Sequence, residues 1–419
     1  MSDFKILAWS DAPAPVCHTG FGVVSRYVLH ALYNTYKYEI NQIGINYHGQ
    51  FYNRKDCPWQ LSPAKLGDPN DPYGNKMFLQ AVYEGDYDYI WIVNDTFVVQ
   101  NAAKELKKIL EQKRVNNQKV PKVIYYYPID CCLRPDMTAM IELATIPVAY
   151  TQFGYDETIK ILPQLAGKIP IIYHGTNTDV FFPYNKNICN ELKKKYFSLD
   201  PSEYLIINVN RNTVRKQLTR TMVCFADFKK IVPNSHLYLH AEPIEKNIDL
   251  INCARELNLE INKDIFFPPN YDTLHGYSDE TMNHLFNAAD MFITTDCGEG
   301  WGLSKTEAMA TGIPVVVPDN TVEPEIVGNT KGFMYEANEL IYIDGSGFRK
   351  AGITKDIVDK MVEVYKLGHK YDLPQVVYAR KFTENNTWGI VCNQWISLFA
   401  SLQNIPEVQV DKSIIGDIL

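Results

Sequence analysis

A chain of 419 residues, 46% hydrophobic and 21% charged, is long enough for two or three domains with full cores, and its composition excludes disordered and fibrous classes. A net charge of −8 argues against a general nucleic-acid binder. No apolar run reaches the length of a membrane span, and the opening MSDFKILAWSD is too short and too acidic for a signal peptide. Nine cysteines include no C-x-x-C pair, so reduced thiols and a cytoplasmic location are expected.

Phe4–Trp9 reads as a first strand, followed by a Pro-rich loop, then His18-Thr-Gly-Phe-Gly22 and a helix over Val23–Tyr33. Strand, glycine loop and helix make a phosphate-binding start. A dinucleotide site needs a third glycine where Ser25 stands and an acid near Gly44-Ile-Asn46, where none stands, so an NAD site is disfavoured. Glu39–Asn46 is the second strand, and Tyr47–Asn75 is irregular and longer than most connections. Tyr87–Val93 is a strand. Asn101–Lys122 is a lysine-rich helix whose apolar stripe (Ala103, Leu106, Ile109, Leu110) admits two readings, a solvated helix face or a peripheral membrane contact. Val123–Tyr127 is a buried strand ending at Pro128-Ile-Asp130. Pro147–Thr151 and Ile169–Tyr173 are strands flanking a helix over Gly154–Leu165.

Gly and Pro punctuate His174–Pro183, which marks a domain boundary. Glu191–Tyr196 is a solvated helix and Tyr204–Val209 a buried strand, followed at once by Asn210-Arg211-Asn-Thr-Val-Arg215-Lys216. Further on, Phe225–Val232 is helical, Leu237–His240 and Asp264–Phe267 are strands, and Met282–Ala289 is a helix. The stretch from Ile293 to Gly328, ITTDCGEGWGLSKTEAMATGIPVVVPDNTVEPEIVG, reads as strand, glycine-broken loop, helix over Leu303–Ala310, and buried strand over Ile313–Val317. Free N–H groups at the head of that helix suit a diphosphate. Ser304-x-x-Glu307 also fits a capping box, which needs no ligand. Ile353–Leu367, Leu373–Lys381 and Thr383–Leu402 are helices, the last long and amphipathic.

The block EGWGLSKTEAMATGIPVVVP, with Glu299 and Glu307 separated by seven residues, resembles the donor site of family 4 glycosyltransferases, retaining enzymes of the GT-B fold. The chain also bears a loose likeness to glycosyltransferases encoded by large DNA viruses of algae. The resemblance implies an α/β protein of two Rossmann-like parallel-sheet domains facing across a cleft. Residues 1–180 form the acceptor domain, 181–380 the nucleotide-sugar domain, and 381–419 a C-terminal helix and tail returning to the first. It implies that Glu307 holds the ribose hydroxyls. Glu299 and the amides of Gly300, Trp301, Gly302 and Leu303 hold sugar and phosphates, and Gly22 approaches the donor by its backbone. Arg211 and Lys216 neutralise the leaving diphosphate, with Arg215 a weaker substitute, and Asp130 accepts bonds from sugar hydroxyls. Ile129 stands where relatives carry a histidine.

The expected reaction moves a hexose, from GDP-mannose in first rank or UDP-glucose in second, to a hydroxyl of a glycan, glycoprotein or lipid. No cofactor and no metal are expected, and Asp86-Tyr-Asp88 is read as a solvated acid pair. A homodimer is compatible with the sequence. The alternatives are an inactive nucleotide-sugar binder and a GT-B-fold epimerase.

Overall fold

Short β-branched and aromatic runs alternate with amphipathic helices through most of the chain, the pattern that builds parallel sheets covered on both faces. The computed structural model describes residues 2–65, 68, 70–272, 274–328, 333–343, 347–368 and 372–403. They divide into two compact units, one of residues up to His174 joined by the helix Trp388–Gln403, the other spanning Gly175–Thr387.

The first unit runs β1 (Phe4–Asp11), α1 (Gly20–Tyr33), β2 (Tyr38–Ile45), β3 (Gln60–Pro63), α2 (Asn75–Glu84), β4 (Tyr89–Val93), α3 (Thr96–Val115), β5 (Lys122–Tyr127), α4 (Ala139–Leu143), β6 (Ile146–Ala149) and α5 (Gln152–Ile161). Its six strands are all parallel, in the order β3-β2-β1-β4-β5-β6. β4 is wholly buried, and its core neighbours include Val99, Ala102, Leu106 and Leu110 of α3.

Several expectations change here. α1 starts at Gly20, because the Thr19 hydroxyl accepts the Gly22 N–H at 3.0 Å and caps the helix three residues early. The irregular stretch after β2 contains β3, an edge strand short enough to be lost among its prolines. The basic helix begins at Thr96 and ends at Val115. Its apolar stripe lies in the core, so that face is not available to a membrane. Lys119 and Lys122 lie beyond the helix. Ile169–Tyr173 forms a single bridge to Ala149, not a strand, since Pro170 has no N–H to continue a ladder.

The second unit runs α6 (Lys186–Phe197), β7 (Tyr204–Val209), α7 (Leu218–Ile231), β8 (Ser235–His240), β9 (Ile244–Glu245), β10 (Ile248–Asp249), α8 (Leu250–Glu256), β11 (Ile265–Phe266), α9 (Asp279–Ala288), β12 (Met291–Ile293), α10 (Leu303–Ala310), β13 (Val315–Asp319), α11 (Glu323–Ile326), β14 (Met334–Glu336), β15 (Glu339–Ile343), β16 (Gly347–Ala351), α12 (Thr354–Leu367) and α13 (Pro374–Asn385). Six parallel strands form its main sheet, in the order β11-β8-β7-β12-β13-β14. Counted within its own unit, each sheet therefore has the doubly wound order 3-2-1-4-5-6. The helical pattern over Thr383–Leu402 is broken at Asn386, whose carbonyl leaves the helix to accept the Thr176 N–H at 2.9 Å.

Beyond that break comes α14 (Trp388–Gln403), which packs on the sheet of the first unit. Trp388 stacks on Tyr27 with centroids 4.4 Å apart, and Trp395 sits edge-on to Trp91 and Tyr126. Beside this aromatic layer His174 is buried against Tyr126 and Tyr150. Its Nδ1 meets the Tyr126 hydroxyl at 2.7 Å, and burial holds the imidazole down at about 3. Of the helix and tail expected over 381–419, residues 404–419 lie outside the described residues.

Candidate active site

In the second sheet the strand order reverses between β7 and β12. In an open parallel sheet that reversal makes a crevice beyond the carboxyl ends of the two strands. The loops that leave those ends are Asn210–Gln217 and Thr294–Gly302, the two segments that carry most of the candidate residues.

The loops are fastened to each other along their length. The Asn210 amide donates to Thr294 Oγ1 at 3.3 Å, and the Cys297 N–H to the Arg215 carbonyl at 2.9 Å. Thr295 Oγ1 donates to the Gln217 carbonyl at 2.8 Å. The Arg215 guanidinium donates to the Gly298 carbonyl, and Ser304 Oγ to the Val209 carbonyl at 2.9 Å. Asp296 is fully buried and turns the second loop, accepting the Thr294 hydroxyl at 2.6 Å and the Gly298 N–H at 3.0 Å.

This fastening brings Glu299 to the cations. The Lys216 ammonium pairs with Glu299 Oε1, and Arg215 Nη1 lies 3.4 Å from Glu299 Oε2. The Lys216 and Glu299 side chains are only 10% and 12% exposed, which strengthens the attraction relative to a surface pair. Arg211 is placed elsewhere. It is exposed and pairs with Glu245 of β9, so the cation that joins Lys216 at Glu299 is Arg215. The short turn Val214–Lys216 explains this, because it carries Arg215 and Lys216 together toward the second loop.

Gly300, Trp301 and Gly302 lead into α10. Gly302 has φ +84°, a conformation that favours glycine, and stands at the helix N-cap with no side-chain cap. Ser304 is thus the second residue of the helix, and its hydroxyl is committed to Val209, so the capping box with Glu307 does not form. The Trp301 ring is buried against Phe382. Leu303 is the first helical residue and half-buried.

Glu307 lies on α10, half-buried. Among the described residues its carboxyl is found in no hydrogen bond or ion pair. Burial, and secondarily the Asp279 carboxylate, push its pKa up to about 8. A carboxyl taken partly out of water without a donor is an expensive arrangement unless something else supplies one.

Gly22 and Asp130 belong to the first unit. Gly22 sits in the first turn of α1. A Cβ there would lie 2.0 Å from the Cys17 carbonyl oxygen and 2.8 Å from that of Ala12, so the close approach at this glycine is made by the chain's own loop. Asp130 is half-buried in the loop after β5. Asp88, of the Asp86-Tyr-Asp88 pair, accepts the Lys5 N–H at 2.7 Å and pairs with Lys119. Among the described residues no group of three or more His, Cys, Asp or Glu is gathered as for a metal ion, and no helix is long and apolar enough to cross a membrane.

Sequence reasoning missed the residues after β13. Thr321 Oγ1 accepts the Glu299 N–H at 3.0 Å, and Asn320 donates to the Asp296 carbonyl at 3.4 Å. The only signal was position, since these residues follow a strand adjacent to β12 in the sheet.

Two units, each a six-stranded parallel sheet in the same winding, define a GT-B fold, and solved structures of that fold match along nearly the whole chain. The sucrose-phosphate synthase of Thermosynechococcus elongatus superposes with a TM-score of 0.67 at 15% identity, covering 96% of this chain and 99% of that one. More narrowly, residues 191–341, which hold the two fastened loops and α10, match the family model described as Glycosyl transferases group 1. Among curated proteins, the alpha-monoglucosyldiacylglycerol synthase of Acholeplasma laidlawii is 24% identical over 189 residues, 44% of either chain. The O-antigen chain mannosyltransferase B of Escherichia coli is 39% identical over 62 residues, 15% of this chain and 16% of that one. The matches thus span less than half the length of these curated relatives.

Proposed function

We propose that the chain is a retaining, metal-independent glycosyltransferase that takes a hexose from a nucleotide-diphosphate sugar and passes it to a hydroxyl of a glycan, glycoprotein or lipid. The observation that carries the reading is the meeting of Glu299 with Lys216 and Arg215 at the head of α10, with the half-buried Glu307, whose carboxyl has no partner among the described residues, further along the same helix. Each part has a task in that reaction. Glu307 accepts hydrogen bonds from the ribose hydroxyls, which supply the donors its carboxyl lacks. The amides of Gly300–Leu303 and the end of the helix dipole hold the diphosphate. As the bond between sugar and phosphate breaks, negative charge grows on the diphosphate, and Lys216 and Arg215 stabilise it where it appears, with Arg211 at the rim. Fixed cations take the part a divalent ion plays in other sugar transferases. Glu299, tethered by these cations, orients the sugar. The acceptor belongs to the first unit, with Gly22 in the first turn of α1 and Asp130 in the loop after β5.

GDP-mannose ranks first as donor and UDP-glucose second. The short stretch shared with a mannosyltransferase supports the first, and the longer, weaker likeness to a monoglucosyl-lipid synthase supports the second and a lipid among the acceptors. Titration calorimetry against GDP- and UDP-sugars with EDTA present tests the reading. One tight donor is expected, weakened by Glu307→Ala and by Lys216→Ala. Donor affinity unchanged in both variants refutes the site.

A further inference from the structure

The segment that follows β13 holds the loop that carries Glu299 and the first turn of α10 at three separate points. Asn320 Nδ2 donates to the Asp296 carbonyl at 3.4 Å. Thr321 Oγ1 accepts the Glu299 N–H at 3.0 Å. Glu323 Oε2 accepts from the Lys305 ammonium at 2.5 Å. The Lys305 ammonium lies against Gly302, since a Cβ built on that glycine would stand 3.4 Å from Lys305 Nζ and 3.7 Å from Glu299 Cγ.

Two features of this segment are unfavourable taken alone. Thr321 adopts φ +43°, a left-handed conformation that a β-branched residue rarely takes and that persists only where the surroundings enforce it. Lys305 and Glu323 form an ion pair whose side chains are 2% and 0% exposed. Among the described residues Glu323 Oε1 has no hydrogen-bond partner. Removing two charges from water is repaid poorly by their attraction, and a well-packed apolar pair of the same size is often as stable or more so. Neither feature is needed for the sheet, because β12 and β13 pair through their backbones. Both act on the same turn.

We propose that Thr321 and the buried Lys305–Glu323 pair are positioning residues that fix the height and orientation of the Glu299–Gly302 turn against Lys216. The functional meaning of this brace rests on the donor-binding reading above, whereas the brace itself can be measured without any donor. Strain and a buried charge are retained because the turn they hold must keep one geometry when its own ion pair is disturbed by an anionic ligand.

Two variants of the full chain separate positioning from simple stabilisation. Lys305→Met with Glu323→Leu replaces the buried pair by apolar groups of similar volume, and its melting temperature is expected to stay within about 3 °C of wild type or to rise. Thr321→Gly relieves the left-handed strain and deletes the hydroxyl that accepts the Glu299 N–H. Hydrogen exchange followed by mass spectrometry reads the turn directly. Exchange over residues 297–303 is expected to quicken at least about tenfold in both variants, while the peptides of β7 and β13 keep wild-type rates. Exchange at the wild-type rate over 297–303 in either variant overturns the brace. If the double variant does not fold, Thr321→Gly decides by itself, since it leaves the buried pair in place. Calorimetry with GDP-mannose and UDP-glucose is run on the same samples. Binding weakened about tenfold or more in a folded variant with a quickened turn is the expected coupling. A wild-type protein that binds neither donor counts against the proposed function, and the exchange result still decides the brace. Donor affinity unchanged despite a quickened turn shows that the turn is braced but not for the donor, and overturns the functional half.

Discussion

Glu307→Gln gives the sharpest prediction, because one substitution is expected to move stability and binding in opposite directions. In the folded chain the Glu307 carboxyl is held up at about 8, burial being the main cause and Asp279 the second. In the unfolded chain it titrates near the ordinary value for a glutamate. Between those two values the folded state binds more protons than the unfolded state, so stability falls as pH rises, and the loss is complete above the folded pKa. Full burial would make that loss roughly 5 kcal/mol. The side chain is only half-buried, so solvent screening reduces the expectation to about 2 kcal/mol. Glutamine has nearly the same shape and no charge to lose. Chemical denaturation at pH 5 and pH 9 is therefore expected to show Glu307→Gln more stable than wild type at pH 9, by about 2 kcal/mol relative to the difference at pH 5. The same variant is expected to bind the nucleotide sugar about tenfold to a hundredfold more weakly, because a neutral acceptor replaces a charge-assisted one. A stability difference that does not change with pH refutes the placement of the carboxyl. Unchanged donor affinity refutes its assignment to the ribose.

The remaining expectations concern the cations, two glycines and the C-terminal helix. Lys216→Ala is expected to weaken donor binding about tenfold or more in calorimetry, Arg215→Ala nearly as much, and Arg211→Ala less, since Arg211 is exposed and engaged by Glu245. Equal losses for all three place the phosphate nearer the rim. Gly22→Ala forces a methyl into the Cys17 and Ala12 carbonyls and is expected to destabilise the chain by about 3 kcal/mol in urea. Gly167→Ala, with open space around it, is expected to lose only about 1 kcal/mol from its left-handed φ. Trp395→Ala removes a fully buried ring from the layer of Trp91 and Tyr126 and is expected to lower unfolding free energy by about 3–5 kcal/mol. A loss under about 1 kcal/mol means that α14 is not part of that core.

Much of the architecture was legible in local pattern. Apolar runs such as Tyr204–Val209, too short for a helix, read as strands buried on both faces, and their alternation with helices favours a parallel sheet that covers them. The helix Leu303–Ala310 has the bounds its glycine start and Thr311-Gly312 stop predict, because Gly302 takes the left-handed turn locally. Where local signals misled, a distant partner had overruled them. Asn386 gives its carbonyl to Thr176 and breaks a helix whose periodicity runs on. The apolar stripe of α3 looked the same whether it faced a membrane or the chain's own sheet, and only packing against β4 distinguished the two.

At the site the division falls between chemistry and pairing. Local pattern alone singled out the acids and bases, Glu299 and Glu307 around a glycine turn and a basic loop after a buried strand. Which cation meets which acid was decided only in three dimensions. The reversal of strand order between β7 and β12 sets two remote loops side by side, and the turn at Val214–Lys216 then presents Arg215 rather than Arg211 to Glu299. The bracing by Thr321 and Glu323 lay beyond local reading for the same reason. Its contacts span a strand and a helix, and a hydrogen bond between residues so far apart leaves no periodicity for the sequence to display.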